Sequence, residues 1–340
     1  MERDVTRFEF QQLLRGWCQD AAFSDDNFSL LKSDIEFLGE RLFDEYKPTK
    51  NVAEGDFSVR LAKWIGSADT PDDQRSLFLL LRHLFFVGQD DLEASYRTAF
   101  SKHILEWLIS KLNLNVLSAG AEAAISLALS QTRFTRITDS FELPTFLRLN
   151  DIQGHNVRYT WEEHIKNWNG QVFRDQVMQA GTLAEKKYLV LLEDFVGSGS
   201  QAATAIGHAQ SLNNPAFEVL FCPLIICPDG ARRANQLQAM HPNFTFSPVL
   251  QLNESDLVKP NAVVGEHQNF PKFRDCLKRL YPRVTGPNPG PQDYGPFGYQ
   301  DTGAIFVKYD NCPDNSLPVL HRQRHGHWSP LFRRASREAT

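Results

Sequence analysis

The chain has 340 residues, 42% of them hydrophobic and 23% charged, with a formal net charge of −5 at neutral pH. That length supports a full core and room for a large domain plus a smaller one, while the acidic balance argues against general nucleic-acid binding. Five cysteines, Cys18, Cys222, Cys227, Cys276 and Cys312, lack C-x-x-C spacing and are odd in number, so they read as buried thiols of a reducing compartment and not as a disulfide framework.

Met1-Glu2-Arg3-Asp4 is charged and carries no apolar signal region, and the longest apolar runs, such as Leu77 to Leu81, are too short to span a bilayer. The expectation is a cytoplasmic protein without a membrane segment. The first third reads as helical: Phe10, Leu13, Leu14 and Trp17 recur at helix spacing, as do Leu30, Leu31, Ile35, Leu38 and Leu42. Thr70-Pro71-Asp72-Asp73 is a helix start with a Thr cap, Pro in the first turn and two acids beside the helix dipole. Leu77 to Phe86 then predicts an almost wholly buried helix, and a stretch with His103, Trp107 and Leu108 predicts another, ending at Asn113. These leucine and aromatic stripes are core in pattern, and none carries chemistry.

From about residue 114 short apolar runs alternate with turns, which divides the chain into a helical region, 1–113, and an α/β domain, 114–340. Phe146-Leu147-Arg148-Leu149 reads as a strand and Trp161 to Met178 as one or two helices. Tyr188 to Leu192 reads as a buried strand, Ala202 to Ser211 as a helix, and Phe217 to Ile226 as a second apolar strand. Pro228-Asp229-Gly230 reads as a turn, Ala231 to Met240 as a helix and Phe244 to Leu252 as a third strand, a rhythm that implies parallel crossovers. The Gly- and Pro-rich segment from Thr285 to Pro291 is a loop, and Asp301 to Tyr309 gives one more strand.

The segment from Leu189 to Gln201 concentrates the chemistry. Four apolar residues lead to Glu193 and Asp194, then to Phe195-Val196 and the small-residue loop Gly197-Ser198-Gly199-Ser200, and a helix follows. The acids therefore fall at the end of a parallel strand, the edge where open α/β sheets bind ligands. The glycines allow the backbone to turn tightly near an anion, and the helix adds its positive end. Two adjacent acids suit vicinal hydroxyls or a Mg²⁺ ion that in turn holds a pyrophosphate. A plain strand-to-helix connection with a capped helix is the alternative. A Walker A loop is excluded, since no Gly-Lys-Ser/Thr follows, and a dinucleotide fingerprint lacks its third glycine.

This segment resembles the phosphoribosyl-pyrophosphate signature of type I phosphoribosyltransferases, in which hydrophobic residues precede two acids, two hydrophobic residues and a Thr/Ser-Gly-rich loop. The resemblance implies a parallel-sheet phosphoribosyltransferase-like α/β domain with an N-terminal helical region. It places Glu193 and Asp194 on the ribose-binding acids and Gly197, Ser198, Gly199, Ser200 and Gln201 on the phosphate loop. Gln201 departs from the Thr or Ser that the family usually has there.

Near the C-terminus, Pro313-Asp314-Asn315-Ser316-Leu317-Pro318 followed by Trp328-Ser329-Pro330-Leu331-Phe332-Arg333-Arg334 looks like the end of phosphoribosyltransferase-like proteins associated with bacterial conflict and phage-defence loci, with His321 where that group has a Trp. Trp328, His321, His325, Arg322, Arg333 and Arg334 offer rings and cations to a nucleobase or pyrophosphate, against the alternative of solvated terminal charge. Asn315 is a candidate for a special backbone conformation beside a ligand. A zinc site from Cys312, His321, His325 and His327 has no established spacing behind it.

By resemblance the protein binds phosphoribosyl pyrophosphate or a nucleotide with Mg²⁺ and makes or breaks an N-glycosidic bond, with Glu193 and Asp194 as catalytic residues, as a defence effector with a protein partner from such a locus. The alternative is a binding module that senses a nucleotide without turnover. Arg133, Arg136, Arg148 and Arg158 are the upstream cations available to a pyrophosphate.

Overall fold

The computed structural model describes residues 7–19, 27–48, 55–153, 186–211, 217–290 and 293–334. Its first helices form where apolar residues repeat at three- and four-residue intervals. Helix α1 (Arg7–Gln19) buries Phe10, Leu14 and Trp17, and α2 (Phe28–Arg41) buries Leu31 and Ile35 behind an Asn27 cap that accepts the Leu30 amide. Helix α3 (Phe57–Gly66) places Trp64 and Ile65 wholly inside. Helix α4 (Pro71–Leu80) starts as expected, with the Thr70 hydroxyl accepting the Asp73 N–H at 3.1 Å and Pro71 in the first turn.

The apolar run after α4 does not stay helical to Phe86. A tight turn at Leu81–His83 ends it, and Phe85–Val87 forms β1, paired in parallel with Phe306–Lys308. Three aromatic and β-branched residues fit a pleated surface as well as a helix, and a strand partner distant in sequence decides the matter.

Along the chain follow α5 (Gln89–Thr98), a π-turn at Ala99–Ile104, α6 (Leu105–Lys111), α7 (Ala121–Ser130), β2 (Thr132–Arg136) and α8 (Leu143–Leu149). Then come β3 (Tyr188–Val196), α9 (Ser200–Ser211), β4 (Glu218–Ile226), α10 (Pro228–Met240), β5 (Phe244–Phe246) and β6 (Leu250–Gln251). The chain closes with α11 (Phe270–Thr285), β7 (Phe306–Lys308) and the short α12 (Pro318–His321). The order β2-β3-β4-β5, parallel throughout and with β6 also paired to β4, makes the mixed α/β architecture that the strand–helix rhythm implied.

Several local readings change. Phe146 to Leu149 belongs to helix α8, where Leu143, Phe146 and Leu147 are buried at i, i+3 and i+4 and Pro144 sits in the first turn. Pro228-Asp229-Gly230 is the first turn of α10, since Pro fixes a helical φ there and Asp229 complements the dipole. The expected strand from Phe244 to Leu252 is split at Ser247 to Val249, where Pro248 lacks an N–H to donate. Asp301 to Tyr309 contributes strand only at β7, because Gln300 and Asp301 take positive φ and precede Gly303, itself at φ 71°. Thr285 ends α11 before the loop begins, and Cys18 is exposed while the other four cysteines are buried. The helices expected between Trp161 and Met178 lie outside the described residues.

Two compact units divide the chain: residues 1–89 together with 254–340, and residues 90–253. The sequence boundary at 113/114 falls inside the second. The first unit has an aromatic core that includes Trp64, Phe78, Phe270, Trp328 and Phe332. In the second, the face of the sheet with Leu189, Leu191, Val219 and Phe221 is covered by Ala202, Ala205 and Ile206 of α9 and Ala231 and Ala234 of α10. Small alanines bring those two helices close to the strands, and with them the strand ends that carry the site. No helix among the described residues is long and apolar enough to cross a membrane.

Candidate functional site

β3 lies between β2 and β4, in parallel register with both, and every residue along it is buried. Glu193 and Asp194 do not terminate this strand, since it runs on to Val196, and they are 5% and 4% exposed. A carboxylate withdrawn from water needs hydrogen-bond donors, because none is supplied by an apolar sheet.

The loop after β2 supplies them. Thr138 donates twice to Glu193, from its backbone N–H to Oε2 at 2.9 Å and from its hydroxyl to Oε1 at 2.5 Å. The Ser140 hydroxyl reaches Glu193 Oε1 at 3.0 Å and Asp194 Oδ1 at 2.8 Å, and Asp194 Oδ1 also accepts the Phe195 N–H at 2.8 Å. Burial, and then the adjacent Asp194 charge, push the Glu193 carboxyl up to about 8 against the lowering effect of the Thr138 and Ser140 hydrogen bonds. Burial thus holds Glu193 toward its protonated form.

The loop that follows is shaped by close packing. Gly199 has φ +76°, and a Cβ there would stand 2.8 Å from the Gly230 Cα. Gly230, in the first turn of α10, is equally confined: a Cβ would meet Val196 Cγ1 at 2.9 Å, and its N–H donates to the Gly197 carbonyl at 3.2 Å. The expected turn glycine at 230 thus serves the signature loop. Ser198 is buried with its hydroxyl 3.3 Å from that of Ser200, and the Arg233 guanidinium donates to Ser200 Oγ at 3.0 Å. Gln201 is exposed on the first turn of α9. Hydroxyls, an arginine and a helix N-terminus converge here on a surface suited to an anion.

All seven signature residues therefore lie together around the end of β3, and the structure adds Thr138, Ser140, Gly230 and Arg233. Thr138 lies 55 positions before its partner, and only the parallel pairing of β2 with β3 unites them. Of the upstream arginines, Arg136 donates to the Phe141 carbonyl, burial lowers the pKa of Arg133, and Arg148 is exposed on α8. Arg158 lies outside the described residues.

The C-terminal run forms a different kind of region. Trp328 is 2% exposed and shares the Val319 carbonyl with Trp64, the two indole N–H groups donating at 3.1 and 2.6 Å. Phe332 packs against Phe43, Tyr46 and Phe57, with the Arg60 guanidinium 5.5 Å above its ring. His321 is buried, faces the Ser316 carbonyl, and is pushed down to about 4 by burial and the Arg334 charge, so it is neutral. Arg322 and Arg334 pair with Asp293 and Asp314. Trp328 and His321 are thus scaffold, because apolar neighbours enclose them, and neither is presented to a nucleobase. Asn315 ties down a loop through Tyr299 and Thr302, while the positive φ beside it belongs to Gly298, where a Cβ would stand 2.7 Å from the Asn315 carbonyl oxygen. Among the described residues no three His, Cys, Asp or Glu side chains gather as a metal cluster, including around Cys312.

A family model, PRTase-CE, matches residues 61–334, a span that contains both the signature and the C-terminal run. The chain belongs to the PRTase-CE family. It is phosphoribosyltransferase-like, and the shared region takes in the sheet of the second unit and the greater part of the aromatic core of the first. No curated protein and no solved structure matches the chain.

Proposed function

We propose that the end of β3 binds the ribose and 5′-phosphate of phosphoribosyl pyrophosphate or of a nucleotide, and that the protein makes or breaks the N-glycosidic bond at ribose C1. The observation that carries this reading is the buried Glu193–Asp194 pair standing two residues before a Gly-Ser loop at the N-terminus of α9, with Arg233 beside Ser200. In the forward direction the C1 bond to pyrophosphate oxygen breaks, a bond from C1 to a base nitrogen forms, pyrophosphate leaves, and the proton of that nitrogen passes to Asp194 or to solvent. Asp194 would accept a ribose hydroxyl and oppose the positive charge that grows on the sugar, while Ser198, Ser200 and the backbone at 197–201 would hold the 5′-phosphate.

Mg²⁺ would meet this donor set as an ion that brings most of its oxygen ligands from substrate and water, with Asp194 as its protein contact, since Thr138 and Ser140 already engage both Glu193 oxygens. Bound in that way, it would neutralise charge on a leaving pyrophosphate. The anti-phage effector role and a partner protein are part of the same proposal, supported by the sequence likeness of the C-terminal run.

One observation favours the second reading, a nucleotide sensor without turnover. Glu193 has both oxygens engaged by Thr138 and Ser140 and its carboxyl is pushed up by burial, so it is poorly placed to stabilise a cationic sugar. Calorimetric titration with phosphoribosyl pyrophosphate and with nucleotides, each with and without Mg²⁺, followed by chromatography of the mixtures, separates the two. Binding with products establishes the enzyme, binding without products the sensor, and the absence of binding overturns both.

A further inference from the structure

We propose that the cleft enclosed by α1, α2 and α3 binds a small organic monocation, an arylalkylammonium ligand with an apolar body and one ammonium head. The cleft has a volume of about 410 Å³, the size of a site for a compact aromatic molecule. Its inner wall is apolar: Phe10 and Leu14 come from α1, Ile35 from α2, Phe57 and Leu61 from α3, and Phe78 from α4. Gly39 shapes that wall, since a Cβ there would stand 2.6 Å from Phe57 Cδ1 and drive the ring off α2.

The mouth decides the sign of the ligand. Lys32, Glu36 and Glu40 follow one another at four-residue intervals along α2 and so share a face, and Asp44 and Asp56 stand on the same rim. The one cation among these lining residues is already committed: Lys32 Nζ lies 2.7 Å from Glu36 Oε2, and Gln11 donates to the other Glu36 oxygen at 3.2 Å. Asp44 accepts the Phe57 N–H at 2.5 Å, and Arg60, 4.0 Å from Asp44, donates to the carbonyls of Phe43 and Leu331. Glu40 and Asp56 are exposed, and among the described residues neither side chain has a hydrogen bond or an ion pair. Glu36 and Glu40 also repel each other across one helical turn, a repulsion that a cation seated at the mouth relieves.

An apolar wall beneath unpaired carboxylates suits a ligand that is apolar at one end and positive at the other, and it disfavours an anion of the same shape. Because the acids are exposed, the ammonium adds a modest preference that salt screens, while burial of the ring supplies the rest of the affinity. All of the lining residues except Leu61 and Phe78 precede the span 61–334 that the family model matches. The site is thus built by helices outside the matched span, in the first compact unit, whereas the signature belongs to the second.

The test is calorimetric titration of the full chain at pH 7 with tryptamine, which carries an ammonium, with tryptophol, which has a hydroxyl in its place, and with indole-3-acetate. Tryptamine should bind about tenfold more tightly than tryptophol, the worth of two exposed ion pairs, and indole-3-acetate more weakly than either. Raising the salt to about 0.5 M should narrow the tenfold ratio to about threefold. Glu40→Gln and Asp56→Asn should each lower the ratio to about threefold, and the double variant to about one, with tryptophol affinity kept within about twofold of the parent. Retained tryptophol affinity shows that the cleft is intact in the variants, so a lost ratio reports the carboxylates and not the fold. No tryptamine binding up to about 10 mM, equal affinity for tryptamine and tryptophol, or an unchanged ratio in the double variant overturns the proposal.

Discussion

The signature around β3 and the C-terminal run from Pro313 to Arg334 contain the same kinds of conspicuous residue, yet the chain uses them in opposite ways. At the signature, charged and hydroxyl groups are carried into a buried strand end and supplied with donors from the β2 loop. In the C-terminal run, the Trp, His and Phe that suggest base stacking are packed into an aromatic core and their polar atoms are satisfied by backbone carbonyls. A short, conspicuous motif is therefore not by itself a ligand site. What distinguishes the two is whether burial collects polar side chains around a common point or disperses them among apolar neighbours.

The sharpest way to break this contrast is Trp328→Ala. Loss of a wholly enclosed indole should lower stability by about 3–5 kcal/mol in urea denaturation. A change below about 1 kcal/mol would mean that the ring is not core and reopen its use as a stacking surface. Gly199→Ala should follow, with a loss of about 2 kcal/mol or more, because its φ of +76° and the 2.8 Å approach to Gly230 leave no place for a methyl group. A variant as stable as the parent would show that the loop can relax away from α10.

Asp194→Asn addresses the other half of the contrast. It is isosteric and removes a charge beside Glu193, so the fold should be kept, while affinity for ribose 5-phosphate should drop about tenfold, as for a lost hydrogen bond to a charged acceptor. Undiminished affinity by calorimetry would move the sugar elsewhere.

The smallest effect is a pH dependence. The folded chain keeps the Glu193 proton up to about pH 8, whereas the group ordinarily loses it near 4.5. Across that window the folded state binds more protons than the unfolded one, so stability derived from Glu193 falls as pH rises. Glu193→Gln should therefore gain on the parent in denaturation midpoint between about pH 5 and pH 8. Parallel profiles for the two proteins would show that Glu193 is ionised in the folded state.

Much was legible without coordinates. The amphipathic repeats of α1, α2 and α4, the Thr70 cap, the buried runs that became β3 and β4, and the acid-glycine order of residues 193–201 are local patterns, written in side-chain periodicity and turn chemistry. Periodicity also reached the parallel rhythm of the sheet, because strands alternating with helices leave few other arrangements.

Other features depend on contacts between distant residues, which no local pattern encodes. Phe85 to Val87 is a strand because Phe306 to Lys308 pairs with it, and Trp328 is core because Trp64 and Val319 lie against it. At the site, sequence alone determined which residues would bring charge and flexibility to the end of β3. Only the tertiary structure decided that Thr138 and Ser140 hold those charges and that Gly230 makes room for the loop, because parallel pairing joins segments 55 positions apart and burial makes their hydrogen bonds obligatory.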